Sequence, residues 1–215
     1  MVGILPVKQQ IKELAAGAEI DADRARKGLP VGERTMHLVF TGAPGTGKTT
    51  VAREIGQMYY HLGLVEKDPS TDEGWVETSR SGLVQEYQGQ TAKNVKRLFE
   101  GDEETGQEGM AGGVIFVDEA YDLYHGDQDQ YGKEAGTELL RQAENHRQNT
   151  VVIMAGYGEQ MESLFESNPG LRRRFPTTLE FPEMSLDDRY KVMQQNMRAA
   201  ELTIGTKERA AQVRE

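Results

Sequence analysis

Gly42-Ala43-Pro44-Gly45-Thr46-Gly47-Lys48-Thr49 fits the pattern G-x-x-x-x-G-K-[ST]. The apolar run Met36 to Thr41 leads into it and suits a buried parallel strand. After it, Val51, Ala52, Ile55, Met58 and Tyr59 recur at helical spacing. Strand, loop and helix is the context this motif needs to bind phosphate. Glycines at 42, 45 and 47 let backbone amides turn toward phosphate oxygens, and the following helix aims its positive end at the same charge. Pro44, Gly45, Thr46, Gly47, Lys48, Thr49 and Thr50 are therefore the expected nucleotide contacts. Lys48 would reach the β- and γ-phosphates, and the Thr49 hydroxyl would ligate Mg2+.

Outward from the loop, strands and helices alternate. Val7, Ile11, Leu14, Ala15 and Ala18 lay an apolar stripe on a helix that starts near Pro6. Trp75 to Thr78 reads as a second strand, and Ala92, Val95, Leu98 and Phe99 as a helix. The acidic, glycine-containing segment Gly101 to Gly113 reads as an exposed loop. Val114 to Val117 is an apolar strand, followed by a helix over about 131–146. Thr150 to Gly156 is the most β-like run and is expected to be the central strand. A short helix around Met161, Leu164 and Phe165 is broken at Asn168-Pro169-Gly170, and Thr177 to Phe181 is the last strand. Ser185 with Asp188 resembles a helix start. This order predicts a three-layer α/β fold on a parallel sheet. It is divided into a domain over 1–183 and the start of a small helical domain over 184–215.

The chain has 215 residues with 25 basic and 35 acidic side chains, a net charge of -10. That balance disfavours a general nucleic-acid surface and makes protein partners the expectation. There is no cysteine, which excludes disulfides and thiolate metal sites. The four histidines, His37, His61, His125 and His146, show no ligand-like pairing and read as packing or surface residues. No apolar run approaches the ~20 residues of a membrane span, and Met1 to Pro6 has no basic leader. A cytoplasmic protein is expected.

An apolar strand ending in Asp118-Glu119 complements the phosphate loop, because a second metal-side ligand has to sit beside that loop at a strand's carboxyl end. Asp118 would hold Mg2+, and Glu119 would polarise the water that attacks the γ-phosphate. The cluster Arg172-Arg173-Arg174 could supply a guanidinium to a neighbouring subunit's phosphate, or form a solvated patch.

Together with Gly112 to Tyr121, Val151 to Tyr157 and Asn168 to Phe175, the loop resembles AAA+ ATPases of the CbxX/CfxQ type. That group includes red-type rubisco activase, the EccA ATPase of type VII secretion and the sporulation protein SpoVK. Val76 to Arg80 with Glu86 to Ala92 looks closest to EccA. The resemblance implies a P-loop AAA+ domain with a five-stranded parallel sheet, in a protein that hydrolyses ATP with Mg2+. It further implies a homo-oligomeric ring, a hexamer, that pulls a client protein through a central pore. It places Val2 and Gly3 near the adenine and Tyr87, Gln88 and Gly89 in the pore loop, and makes Arg174 the trans-acting arginine. Tyr157 stands where many such proteins carry a polar sensor. The alternatives are a nucleic-acid motor or clamp loader on the same fold, and a nucleotide-regulated scaffold with little turnover. Acidic charge and Tyr87-Gln88-Gly89 argue against the first.

Overall fold

The computed structural model describes residues 4–30, 35–85, 89–126 and 128–200. In chain order, the elements up to the strand that precedes Asp118-Glu119 are α1 (Leu5–Arg26), β1 (Leu38–Gly42), α2 (Lys48–His61), β2 (Trp75–Thr78), α3 (Arg80–Leu83), α4 (Gln90–Glu100), β3 (Gly101–Asp102), β4 (Gln107–Glu108) and β5 (Val114–Val117). A 3-10 turn (Ala120–Leu123) follows, and then α5 (Gln130–Asn145), β6 (Val151–Gly156), α6 (Gly158–Ser167), α7 (Pro169–Arg174), β7 (Thr177–Phe181) and α8 (Leu186–Ala199).

Five strands form one parallel sheet in the order β2-β5-β6-β1-β7. The run Thr150 to Gly156 is its central strand, as its composition predicts. β5 and β6 are buried along their whole length, which is why both read as continuous apolar runs and not as alternating ones. Their side chains still part by the two-residue period of a strand. Ile115, Val117, Val152 and Met154 face α4, α5 and α6 in one core cluster. Val114, Phe116, Val151, Ile153 and Ala155 face α1 and α2 in the other. Sheet and helices thus make three layers. Phe116 is fully buried and stacks on Trp75 at 5.8 Å between centroids, so truncating it to alanine should cost about 3 to 5 kcal/mol.

Helix ends follow local chemistry. Asp129 caps α5 by accepting from Gly132 N at 2.9 Å, and Ser185 caps α8 by accepting from Asp188 N at 3.1 Å. Asn168 accepts from Gly170 N at 3.1 Å, and Pro169 fills the first helical position. The break at Asn168-Pro169-Gly170 is therefore also a start, and the three arginines ride on a short helix, α7. The segment after α4, expected to be an exposed loop, is exposed over residues 103–108 but carries more structure than a loop. β3 and β4 form a small antiparallel hairpin, Met110 is buried in the core, and Lys67 Nζ donates to Gly109 O at 2.7 Å.

His37 is 1% exposed and packs at 5.3 Å from the Phe175 ring. Its Nδ1 accepts from Val152 N at 3.1 Å, which leaves Nε2 to donate to Ala143 O at 2.9 Å. Burial pulls its pKa down to about 4, so the ring is neutral at pH 7 and fastens the entry of β1 to β6 and α5. No helix among the described residues is long and apolar enough to cross a membrane.

Candidate nucleotide site

Parallel pairing brings three strand ends to one edge. Thr41 pairs with Gly156 and Val117 with Met154, so the loop after β1, the carboxylates after β5 and Tyr157 after β6 lie side by side. This is the carboxyl edge where open α/β sheets bind ligands. A cavity of about 790 Å3 lies elsewhere: Thr35, Met36, Pro176 and Thr177 line it at the opposite, amino end of β1 and β7.

The phosphate loop is built by its glycines. Gly45 and Gly47 have φ of +70° and +91°, and a Cβ on Gly45 would meet nothing within 4 Å. The demand there is conformational. Gly42 is different, since a Cβ there would stand 2.5 Å from Phe181 O on the neighbouring β7. Thr46 is buried and donates its hydroxyl to Ala43 O at 2.8 Å, closing the loop on itself. Pro44, Gly45 and Thr50 are exposed at the mouth, and Thr49 is half-buried on the first turn of α2. Lys48 Nζ donates to Gly42 O and Ala43 O, each at 2.9 Å. Burial draws its ammonium below the ordinary lysine range, while the nearby Asp118 and Glu119 carboxylates oppose that shift. Loop lysine and strand-end acids are thus electrostatic neighbours.

Asp118 N donates to Thr78 O at 2.8 Å, which extends the β2–β5 ladder by one residue. Its carboxylate Oδ1 accepts from Glu119 N at 3.0 Å. Glu119 is exposed and sits at φ 49°, ψ 43°, a left-handed conformation that is uncommon outside glycine. The Thr49 hydroxyl and Asp118 carboxylate are hard oxygen donors of the kind Mg2+ takes. Among the described residues no group of three or more His, Cys, Asp and Glu could hold a metal alone. The pair therefore fits an ion that draws its other ligands from phosphate and water.

The arginines of α7 differ in surroundings. Arg172 is exposed, pairs with Glu162 and lies 5.6 Å over the Phe165 ring. Arg173 is exposed. Arg174 is half-buried, with NH1 donating to Gly170 O at 3.3 Å and Nε standing 3.2 Å from Glu144 Oε2.

Val2, Gly3, Tyr87 and Gln88 lie outside the described residues. Gly89 caps α4 with φ +79°. The buried Thr91 hydroxyl accepts from Gln85 N at 3.0 Å and donates to Gln85 O at 3.2 Å. Two further residues escape sequence reasoning. Arg80 makes a bidentate pair with Asp129 at 2.6 and 2.9 Å and donates to Asp122 O at 2.7 Å, joining α3 to the turn after Glu119. Tyr121 donates its hydroxyl to Glu119 Oε1 at 3.3 Å. Only its place two residues after Glu119 could have signalled it.

With this geometry in view, residues 38–183 match the ATPase family associated with various cellular activities (AAA). The chain is 37% identical over 186 residues to stage V sporulation protein K of Bacillus subtilis (strain 168), covering 86% of this chain and 54% of that protein. It is 41% identical over 184 residues to protein CfxQ of Xanthobacter flavus, with 85% and 54% covered. To protein CbbX of Cereibacter sphaeroides it is 40% identical over 193 residues, with 89% and 58% covered. The chain thus spans little more than half the length of these relatives.

Among solved structures, the AAA domain of FIGL-1 in complex with ADP superposes with a TM-score of 0.60 at 19% identity, over 92% of this chain and 59% of that one. A katanin structure determined for its self-assembly gives 0.57 at 23%, over 92% and 57%. Both share the fold. Family match, identity and strand order agree: the chain belongs to the AAA ATPases and, within them, to the CbxX/CfxQ group.

Proposed function

We propose that this chain is the ATPase module of a ring-forming protein remodeller that hydrolyses ATP with Mg2+ and acts on a client polypeptide. The observation that carries the reading is the meeting of Lys48, Asp118 and Glu119 at the carboxyl edge of the sheet, after β1 and β5, the two strands that flank β6. Residues 1–183 are read as the nucleotide-binding domain, and 184–215 as the beginning of a helical lid.

In this reading the amides of Gly45, Thr46 and Gly47 and the first turn of α2 cradle the phosphates. Lys48 exchanges its two carbonyl contacts for phosphate oxygens. Thr49 and Asp118 hold Mg2+, whose charge offsets the negative charge of the phosphates. The Glu119 carboxylate accepts a proton from the attacking water, and Arg174 of one subunit reaches the neighbour's γ-phosphate as charge develops there. Tyr87, Gln88 and Gly89 press on the client in the pore of a hexamer.

Membership of the CbxX/CfxQ group supports the ATPase chemistry. The AAA fold shared with a self-assembling katanin supports, by analogy, an oligomer. The net charge of -10 favours a protein client over nucleic acid and suits a cytoplasmic protein. The test is phosphate release by the full protein with and without Mg2+. Turnover that vanishes with chelation and returns with added Mg2+ is expected. Turnover indifferent to Mg2+ would contradict the reading.

A further inference from the structure

We propose that Tyr121 is a positioning residue for Glu119, its hydroxyl holding one carboxylate oxygen while the other stays free for the attacking water. The inference rests on the reading of Glu119 as the group that activates that water.

Glu119 has a reason to need a partner. It is one of two non-glycine residues with positive φ among the described residues, the other being Ile4 at the start of α1. Its backbone is fixed from both sides: its N–H donates to Asp118 Oδ1 at 3.0 Å and its carbonyl accepts from Asp122 N at 2.8 Å. The exposed side chain is not fixed by packing. An exposed glutamate samples several rotamers, and most of them carry the carboxylate away from any one water position. The hydrogen bond from Tyr121 OH to Oε1, at 3.3 Å, narrows that choice.

The phenol is held where this bond requires it. Its ring rests against Tyr157, with centroids 5.7 Å apart and planes at 42°, and over Gly156 at the end of the central strand. A Cβ on Gly156 would come within 2.7 Å of Tyr121 Cδ1 and 2.8 Å of Met161 Sδ. The absence of a side chain there is what lets the ring lie down on β6. Burial, and secondly the Glu119 carboxylate, push the phenol pKa up to about 12. The hydroxyl therefore keeps its proton at neutral pH and acts as a donor. The strand that leads into Tyr157 thus reaches Glu119 through one aromatic ring, in a chain with no short polar residue at position 157.

The test compares Tyr121→Phe, Glu119→Gln and the double variant in the full protein, measuring ATP hydrolysis, binding of a fluorescent ATP analogue and thermal melting. Tyr121→Phe keeps the ring and loses only the hydrogen bond. It should lower kcat about tenfold, leaving KM, analogue affinity and Tm within the scatter of the parent. Single-turnover rates, measurable in slow variants, should show no further loss when Tyr121→Phe is added to Glu119→Gln, because the hydroxyl acts only through that carboxylate. A Tyr121→Phe protein with parental kcat would overturn the proposal, as would the same tenfold loss in the Glu119→Gln background. A Glu119→Gln protein that turns over normally would instead remove the reading on which the proposal stands. The two failures are thereby distinguished.

Discussion

Arg174 Nε stands 3.2 Å from Glu144 Oε2, so the guanidinium proposed to serve a neighbouring subunit is turned back onto its own α5 in the single chain. The buried Nε has no hydrogen-bond partner there, so the contact is an ion pair without hydrogen-bond alignment. Such a pair between half-exposed side chains is worth about 0 to 1 kcal/mol. Contact with a neighbour's phosphates can displace it.

Hydrolysis should accordingly depend on assembly. Specific activity should rise with protein concentration, and Arg174→Ala should bind ATP normally but hydrolyse it about 10³-fold more slowly or worse. Adding an equal amount of Glu119→Gln subunits should restore part of the turnover, since their Arg174 can serve the competent Glu119 site of the mutant. Full activity in a demonstrated monomer, independent of concentration, would contradict this.

If Tyr87, Gln88 and Gly89 form the proposed client-facing loop, Tyr87→Ala should leave ATP hydrolysis in place and abolish remodelling, whereas Tyr87→Phe should keep most of it. Thr91 is bonded to Gln85, and neither residue is changed by a substitution at position 87. A thermal melt of Tyr87→Ala checks the alternative that the ring is packed. In that case stability should drop by about 3 to 5 kcal/mol, with hydrolysis lost in proportion to unfolding.

His37 gives the fold an acid sensitivity. Its folded pKa of about 4 lies below the 6.5 of an unperturbed histidine, so the unfolded chain binds the proton first as pH falls. The stability contributed by the neutral ring is complete above pH 6.5 and declines as pH drops toward 4. A shift of this size corresponds to about 3 kcal/mol. Urea midpoints at pH 7 and pH 4.5 should differ more for the parent than for His37→Gln. Equal differences would remove His37 as the cause.

The nucleotide edge was legible because its chemistry is local in sequence. Gly42 to Thr49 carries its own spacing, and Asp118-Glu119 follows a short apolar run of the kind a buried parallel strand shows. The central position of β6 was legible from its unbroken β-branched and apolar composition. His37 was read only as a packing or surface residue, since its partners Ala143 and Val152 are 106 and 115 positions away, and no local pattern records such a contact. The helix carrying Arg172, Arg173 and Arg174 is six residues long and begins at Pro169, too short to show a period. The β3–β4 hairpin is hidden by an acidic, glycine-containing composition that reads equally well as open loop. Tyr121 depends on a ring seated over Gly156, and that contact exists only once the sheet has formed.

The central claim is that Lys48 grips phosphate while Glu119 activates water, and nucleotide binding measured beside single-turnover hydrolysis tests it most directly. Lys48→Ala should lose ATP affinity, because its ammonium already lies against the phosphate loop, donating to Gly42 O and Ala43 O. Glu119→Gln should bind ATP as the parent does and fail to cleave it. Equal loss of binding in both variants, or parental cleavage by Glu119→Gln, would contradict the account.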